Sequence, residues 1–315
     1  MRMHPLSGLS LLALVCGACG PFVPPPTAPY SADRLNAVTG RIVDDEPATS
    51  GSAAPSGPSG EAGEAAPPPA PAGLRVIHAA PDRALASVSA FVDDSAVAAV
   101  QGLAFKAVAG HLELTPGEHP LVLRRAADAA TAAPALAIRT PALAAGTRYT
   151  AIVHGLATGT PRLAVAASAD SPAEPEAGKA RVRFFHALAG LGAVDLCLPA
   201  RPARPAAANQ PAAAAVPAAP VFANVAYGAF GSVQGSEFTE VVAGAPVALT
   251  IRAQNARPCT GAVRGTVTVT PASGAVLTAV AVGRVVGAPA VARELLVCTD
   301  APLDGAPSCP ATPIR

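Results

Sequence analysis

The sequence predicts an all-β protein: two tandem antiparallel β-sandwich modules, immunoglobulin-like or transthyretin-like, behind a disordered N-terminal tether. Three observations predict it: an internal repeat, short apolar runs separated by turn residues, and an export signal followed by a Pro- and Gly-rich stretch. The 315 residues suffice for two domains of ordinary size. We expect a lipoprotein signal peptide at 1–18, a tether at 19–72, modules at 73–168 and 179–298, and a disulfide-closed tail at 299–315.

The internal repeat is clearest where each copy begins. Residues 75–80 read Arg-Val-Ile-His-Ala-Ala, and residues 181–188 read Arg-Val-Arg-Phe-Phe-His-Ala-Leu. Later segments correspond as well: 103–107 with 225–229, 121–124 with 249–252, and 146–153 with 274–281. Because these segments recur in one order, the two halves are predicted to share one fold.

Apolar runs of strand length make up the first copy. They span residues 74–79, 86–92, 96–101, 108–114, 119–125, 135–140, 147–154 and 161–167. Turn residues separate them, including Asp93-Asp94, where Asp tolerates left-handed backbone. This spacing predicts an antiparallel sandwich or barrel.

Two Ala-rich segments, 124–137 and 206–219, admit a helix as the competing interpretation. Prolines at positions 211, 217 and 220 make a continuous helix unfavourable in the second. We interpret residues 200–220 as a disordered or extended loop inserted into the second module. Residues 168–178 are interpreted as the linker between modules.

The composition argues against nucleic-acid binding. The net charge is +1, charged residues make up 14% of the chain, and aromatic residues make up 3% with no Trp. A nucleic-acid binder needs a basic patch for phosphates or aromatic platforms for bases. We therefore expect no nucleic-acid partner.

The N-terminus has the features of an export signal. A short basic start precedes an apolar run over residues 6–15, which is too short to span a bilayer as a helix. Gly17-Ala18-Cys19 resembles a lipobox, so Cys19 is the expected lipidation site, with Cys16 as the rival acceptor and plain secretion as the alternative. We expect a lipoprotein anchored in the cell envelope, at the outer membrane, either periplasmic or surface-exposed.

The remaining cysteines agree with export. Cys197, Cys259, Cys298 and Cys309 form an even set, which in an exported chain indicates two disulfides. Three connectivities are open, and we favour Cys197–Cys259 with Cys298–Cys309. The mature chain has no Cys-x-x-Cys pair, and we expect no metal site and no cofactor.

Two segments of the first copy resemble the DUF4397 family, a domain of unknown function found in bacterial exported proteins and lipoproteins, often in tandem. They are Arg-Val-Ile-His-Ala-Ala-Pro-Asp at 75–82 and Gly-Thr-Arg-Tyr-Thr at 146–150. The second copy departs from the pattern, with Leu188-Ala189 in place of Pro-Asp and no Tyr before Thr278. The resemblance implies a β-sandwich module at the envelope and carries no active site.

The repeat signature supplies the first candidate site residues. His78 and His186 occupy equivalent places, and Pro81-Asp82 follows the first of them. A structural role is expected for all four, with the imidazoles bonding backbone or capping a turn. His111 and His119 flank the Thr115-Pro116-Gly117 turn and could face each other, but they lack a third metal ligand.

Motifs for nucleophiles, phosphate loops and zinc proteases are absent from the sequence. We therefore expect no catalytic residue and a non-catalytic binding, structural or adhesion scaffold. Its expected partners are the membrane, through the N-terminal lipid, and an envelope protein or polysaccharide, with loops 79–85, 200–220 and 299–309 as contact surfaces. The alternative is an envelope carbohydrate-binding domain or an enzyme with an unrecognised site. That alternative predicts that His78, Asp82, His111 or His119 converge.

Overall fold

The computed structural model describes residues 67–129, 131–171, 173–206, 211–287, 290–300 and 307–315. The predicted signal peptide, Cys19 and the tether up to residue 66 lie outside them. Regular structure in the described part is β-strand apart from one 3₁₀ turn at Arg83–Leu85. Nowhere in these ranges is there a helix with the length and hydrophobicity to cross a bilayer.

The first module contains eight strands. They are β1 (Ala72–His78), β2 (Ser87–Val92), β3 (Val100–Ala104), β4 (Leu112–Leu114), β5 (Pro120–Arg125), β6 (Leu136–Arg139), β7 (Arg148–His154) and β8 (Ala164–Ala169). Two four-stranded sheets form, in the orders β4-β1-β7-β8 and β3-β2-β5-β6. Strands β3 and β4 begin four residues later than predicted. The two aspartates at the predicted left-handed turn, Asp93 and Asp94, both have φ of 55°.

The second module repeats this plan with one strand more. Its strands are β9 (Lys179–Ala189), β10 (Val194–Leu198), β11 (Ala219–Val225), β12 (Thr239–Val242), β13 (Val247–Ala253), β14 (Val263–Val269), β15 (Val276–Arg284), β16 (Val291–Thr299) and β17 (Ala311–Pro313). The sheets have the orders β12-β9-β15-β16-β17 and β11-β10-β13-β14. The predicted all-β architecture of two sandwiches is confirmed.

One strand pair in each module departs from the antiparallel prediction. β1 runs parallel to β7, with Arg75 opposite Thr150, and β9 runs parallel to β15, with Arg183 opposite Thr278. In each case the chain crosses to the other sheet and returns between the two strands, and such a long connection permits parallel pairing. All other neighbours are antiparallel.

The Ala-rich segments are not helical in the described residues. Residues 124–137 contain the end of β5, a turn and the start of β6. The inserted loop 200–220 is extended: Arg201 pairs with Val216 and Arg204 with Ala213, outside the undescribed residues 207–210. Strand β11 already begins at Ala219.

The C-terminal tail is part of the second sandwich. Strand β17 pairs with β16, and the buried Ile314 enters the core cluster of this module. The backbone of Arg315 exchanges hydrogen bonds of 2.7 and 3.0 Å with Thr266 in β14. The chain end therefore bridges the two sheets at one edge.

Both favoured disulfide pairings are present. Cys197 of β10 bonds Cys259 in the loop before β14, across a sequence separation of 62. Cys298 of β16 bonds Cys309, which precedes β17. The first fastens a loop to its own sheet, and the second ties the chain end to β16.

The two sandwiches stack on each other through the β1–β7 and β9–β15 sheets. Alternate residues of β1 face opposite ways: Leu74 and Val76 enter the core of the first sandwich, whereas Ile77 and Ala79 enter a third cluster shared with the second module. The central strands are thus buried on both faces, which favours nearly continuous apolar runs. The described residues from 67 onward belong to one compact unit.

Candidate functional site at the junction of the modules

The junction has an apolar part built from both modules. Ile77 and Ile152 of the first module pack with Phe185, Val280 and Leu296 of the second, and all five are fully buried. β-Branched and aromatic side chains on central strands fill such sheet-to-sheet space well. The hydrophobic effect therefore holds the modules face to face.

Two arginines lie beside this cluster, fully enclosed. Arg75 of β1 is 1% exposed and Arg183 of β9 is 0% exposed. Each precedes the signature histidine of its module by three residues. Each also lies opposite a threonine of the parallel partner strand, Thr150 for Arg75 and Thr278 for Arg183. A guanidinium cannot be neutralised in a protein, so burial requires hydrogen-bond partners and opposite charge.

Arg75 reaches across the junction for most of its partners. Its Nε donates to Thr150 Oγ1 at 2.7 Å within its own module. Its two terminal nitrogens donate to the second module: to the carbonyl of Thr299 at 2.9 Å, to Thr278 Oγ1 at 3.2 Å, and to the carboxylate of Asp300.

Arg183 makes the reciprocal set of contacts. Its Nε donates to Thr278 Oγ1 at 2.8 Å within the second module. Its terminal nitrogens donate to the first module: to the carbonyl of Ala169 at 3.1 Å, to Thr150 Oγ1 at 2.6 Å, and to the carboxylate of Asp170. Each arginine therefore binds the aspartate of the other module.

The two threonines connect the arginines to the aspartates. Thr150 and Thr278 accept from both guanidinium groups, and each hydroxyl donates to the aspartate of its own module at 2.6 Å. Such hydrogen bonds to ions are stronger than neutral ones. The six residues form a network, the Arg–Thr–Asp junction, with approximate two-fold symmetry.

The charges of the junction balance, with two guanidinium groups facing two carboxylates. Burial by itself would raise the pKa of Asp170, but the hydrogen bond from His111, the charges of Arg183 and Arg75 and the hydroxyl of Thr150 lower it to about 2. A buried ion pair gains less than its Coulomb energy suggests, because both ions lose water. Breaking one partner is costly, since the other charge is left buried and unpaired.

Aromatic and charged contacts surround the junction. The Arg183 guanidinium lies over the rings of Phe230 and Phe238, at 5.2 and 4.9 Å from the centroids. Across the modules, Lys106 pairs with Glu294. The two rings shield the Arg183 guanidinium further. The Lys106–Glu294 pair adds attraction between the modules.

His154 extends the junction at its other side. From the end of β7 its ring makes edge contacts with Phe185 and Tyr227 of the second module, at centroid distances of 5.3 and 5.5 Å. Burial lowers the pKa of His154 to about 4. Burial also raises the pKa of Tyr227 to about 12. Both rings are therefore neutral at pH 7.

The signature histidines bond backbone in the same way in both modules. Nε2 of His78 lies 2.6 Å from the carbonyl of Leu85, and Nε2 of His186 lies 2.9 Å from that of Gly192. Burial lowers the pKa of both imidazoles, against a raising effect of these carbonyls. This geometry fits the turn-closing role expected from the sequence.

The other candidate residues have separate partners. Asp82, after the buried Pro81, accepts from the amides of Ala84 and Ala157, each at 2.9 Å, and so caps the 3₁₀ turn. Because Ala79, Ala80, Pro81 and Leu85 are buried, loop 79–85 offers less contact surface than expected.

His111 and His119 do not face each other as the sequence allowed. His111 Nε2 lies 3.4 Å from Asp170 Oδ2 at the junction, whereas His119 lies 2.8 Å from Asp93 Oδ1 and 2.7 Å from the Thr115 carbonyl. Thus His78, Asp82, His111 and His119 do not converge. Within the described ranges no cluster of three or more His, Cys, Asp or Glu residues could hold a metal ion.

The sequence reasoning missed the Arg–Thr–Asp junction. It aligned the arginine of the first copy with Arg181, and it assigned Asp170 to the linker. Alignment on the histidines instead places Arg75 with Arg183, while the correspondence of 146–153 with 274–281 already placed Thr150 with Thr278. The sequence did contain a signal for the junction: an arginine occurs in both copies three residues before the histidine, within an otherwise mostly apolar strand.

Comparison with known proteins gives one family. A model of DUF4397, described as a domain of unknown function, matches residues 72–197, which cover the first module and the first two strands of the second. No curated protein matches the chain.

Proposed function

We propose that this chain, whose residues 72–197 belong to the DUF4397 family, is a non-catalytic lipoprotein of the cell envelope. Its two β-sandwiches serve together as a binding, structural or adhesion scaffold, joined by the Arg–Thr–Asp junction. No nucleic acid, metal or cofactor takes part. The partner is an envelope protein or a polysaccharide.

The scaffold proposal depends on one observation: the charged groups of the junction are buried and paired with one another. Arg75 and Arg183 are at most 1% exposed, and their guanidinium nitrogens donate to the two junction threonines, the two junction aspartates and two backbone carbonyls. Side chains without solvent access cannot meet a substrate. Their hydrogen bonds and ion pairs join the two modules, which supports a structural role for the Arg–Thr–Asp junction.

The export features of the sequence support the location. The apolar run at 6–15, the lipobox-like Gly17-Ala18-Cys19 and two disulfides fit a protein outside the cytoplasm. A diacylated and amide-capped Cys19 would anchor the chain without a transmembrane helix. The folded modules would then stand off from the membrane on the tether.

The anchor is tested with Cys19→Ala and with globomycin in the native host. We expect unprocessed or soluble protein in place of a membrane-partitioned mature form, and Cys16→Ala serves as the matched control. Unchanged partitioning and size in Cys19→Ala would overturn lipidation at this residue. The scaffold is tested by crosslinking and pull-down of the native protein from its envelope, where a strictly solitary ectodomain would contradict it.

A further inference from the structure

The second sandwich contains an apolar cavity between its two sheets. Its volume is about 230 Å³, and it is lined by aliphatic residues of both sheets together with threonines, without a charged side chain. Leu196 and Leu295 form its floor and are 1% exposed. An engineered apolar cavity of about 150 Å³ stays dry and binds benzene, so this space suffices for a small apolar molecule.

Comparison with the first module shows where the side chains around this space are smaller. The strand registers give equivalent positions in the two sandwiches. At four of them the second module has the smaller side chain, and each of these four lines the cavity. The pairs are Leu74 and Val182, Leu114 and Val241, His119 and Val247, and Tyr149 and Leu277. At three other lining positions the second module has the larger side chain: Leu196 against Ala90, Leu295 against Val165, and Val297 against Ala167.

In the first module the larger residues are packed. Leu74 and Tyr149 belong to its core cluster, and the Tyr149 hydroxyl accepts a hydrogen bond from the amide of Ala144 at 3.0 Å. His119 is held by Asp93 and Thr115. At the equivalent positions the second module has smaller, aliphatic side chains, and these side chains have no polar group that could make such hydrogen bonds.

The cavity opens to solvent beside hydroxyl groups. Thr312 of β17 is half-buried and lies opposite the cavity-lining Leu295, so its hydroxyl is on the cavity face. Thr268 and Thr270 also border the cavity, but they alternate with the inward-facing Val269 and are exposed. Half-buried Val182 and Val241 lie along the same opening. An apolar interior with a hydroxyl at the mouth suits a ligand with an apolar body and one neutral polar end.

We propose that this cavity of the second module is a binding site for a small neutral molecule with an unbranched aliphatic chain. The chain lies among the valines and leucines between the sheets, and its polar end meets the Thr312 hydroxyl at the mouth. The absence of a charge in the lining disfavours an ionic head group, because a buried charge without a partner is costly. This inference is independent of the membrane anchor.

The test is a titration of the methyl-labelled mature protein with 1-butanol, 1-hexanol and 1-octanol, followed by NMR of Val and Leu methyl groups. We expect saturable shifts at Val182, Val241 and Leu277. Affinity is expected to rise roughly fourfold per added methylene, as for transfer of a methylene from water. Shifts that never saturate, or that scatter over exposed valines, would overturn the site.

The matched variants are Val241→Phe and Val242→Phe. Val241 lines the cavity, whereas its neighbour Val242 on the other face of β12 is 68% exposed. Val241→Phe should lose at least tenfold in 1-octanol affinity, and Val242→Phe should bind as the wild type does. Wild-type affinity in a folded Val241→Phe would contradict the proposal, and if that variant fails to fold, the wild-type shift pattern decides.

Discussion

Arg75 and Asp300 lie 225 positions apart in the chain, and the Arg75 guanidinium donates a hydrogen bond to the Asp300 carboxylate inside the junction of the two modules. Arg183 and Asp170 make the reciprocal contact. Because each arginine depends on the aspartate of the other module, the network closes only when both modules are in place. The two sandwiches therefore stabilise each other.

Removing one charge of this network should be costly. Asp300→Asn leaves two buried guanidinium groups, those of Arg75 and Arg183, facing the single carboxylate of Asp170, and we expect the free energy of unfolding to fall by about 3–5 kcal/mol. Urea unfolding of the mature protein measures this change. Glu176→Gln is the control, since Glu176 pairs with Lys179 at the surface, where ion pairs contribute little to stability. Equal effects of the two substitutions would contradict a structural role for the junction.

Acid should weaken the fold through Asp170. Its pKa is about 2 in the folded protein and near 3.8 in the unfolded chain, so its contribution is complete above about pH 4. That contribution, about 2 kcal/mol, is lost as pH falls from about 4 to 2. Asp170→Asn should therefore show a flatter dependence of unfolding free energy on pH in this window. Parallel curves for variant and wild type would refute the depressed pKa.

His154 should make stability depend on pH in a higher window. Its pKa is about 4 when folded and 6.5 when unfolded, so the unfolded chain binds the proton more readily. Stability is complete above about pH 6.5 and declines by about 3 kcal/mol as pH falls to 4. His154→Val introduces the residue that the second module has at the equivalent position, Val282.

This variant should lose that decline, so that its stability relative to wild type improves on going from pH 7.5 to 5. Urea unfolding at the two pH values provides the comparison, and an NMR titration of the imidazole gives the pKa directly. A wild-type His154 that titrates near 6.5 would show the prediction to be wrong.

The two disulfides should differ in their contributions. In the chain-entropy relation, the Cys197–Cys259 loop of 62 residues contributes about 4 kcal/mol and the Cys298–Cys309 loop of 11 residues about 3 kcal/mol. Paired Cys→Ala variants, compared by denaturant unfolding, measure each value. A larger loss from the shorter loop would mean that contacts of the chain end, such as buried Ile314, depend on that disulfide.

Much of the architecture was predictable because it depends on local signals. Alternating apolar residues and turn residues located the strands, and Asp93-Asp94 marked a left-handed turn that the structure contains. The even set of four cysteines predicted two disulfides, and of the three open connectivities the favoured one is present. The pattern does not indicate strand direction between distant segments, so the parallel pairing of β1 with β7 was missed.

The junction was harder to predict because its residues resemble surface residues in the sequence. Arg75 stands between Leu74 and Val76, which is the pattern of a strand with one solvated face. Only the packing of the second sheet against that face makes the arginine buried. Asp170 likewise follows a strand and precedes a Pro-rich stretch, as linker residues do.

Differential scanning calorimetry of the mature protein tests most directly whether the Arg–Thr–Asp junction makes the two sandwiches one scaffold. We predict a single transition whose calorimetric and van't Hoff enthalpies agree. The reason is that the buried arginine of each module is paired with an aspartate of the other module and loses this partner when the other module unfolds. Two separate transitions, each assignable to one sandwich and unaffected by Arg183→Met, would contradict the account.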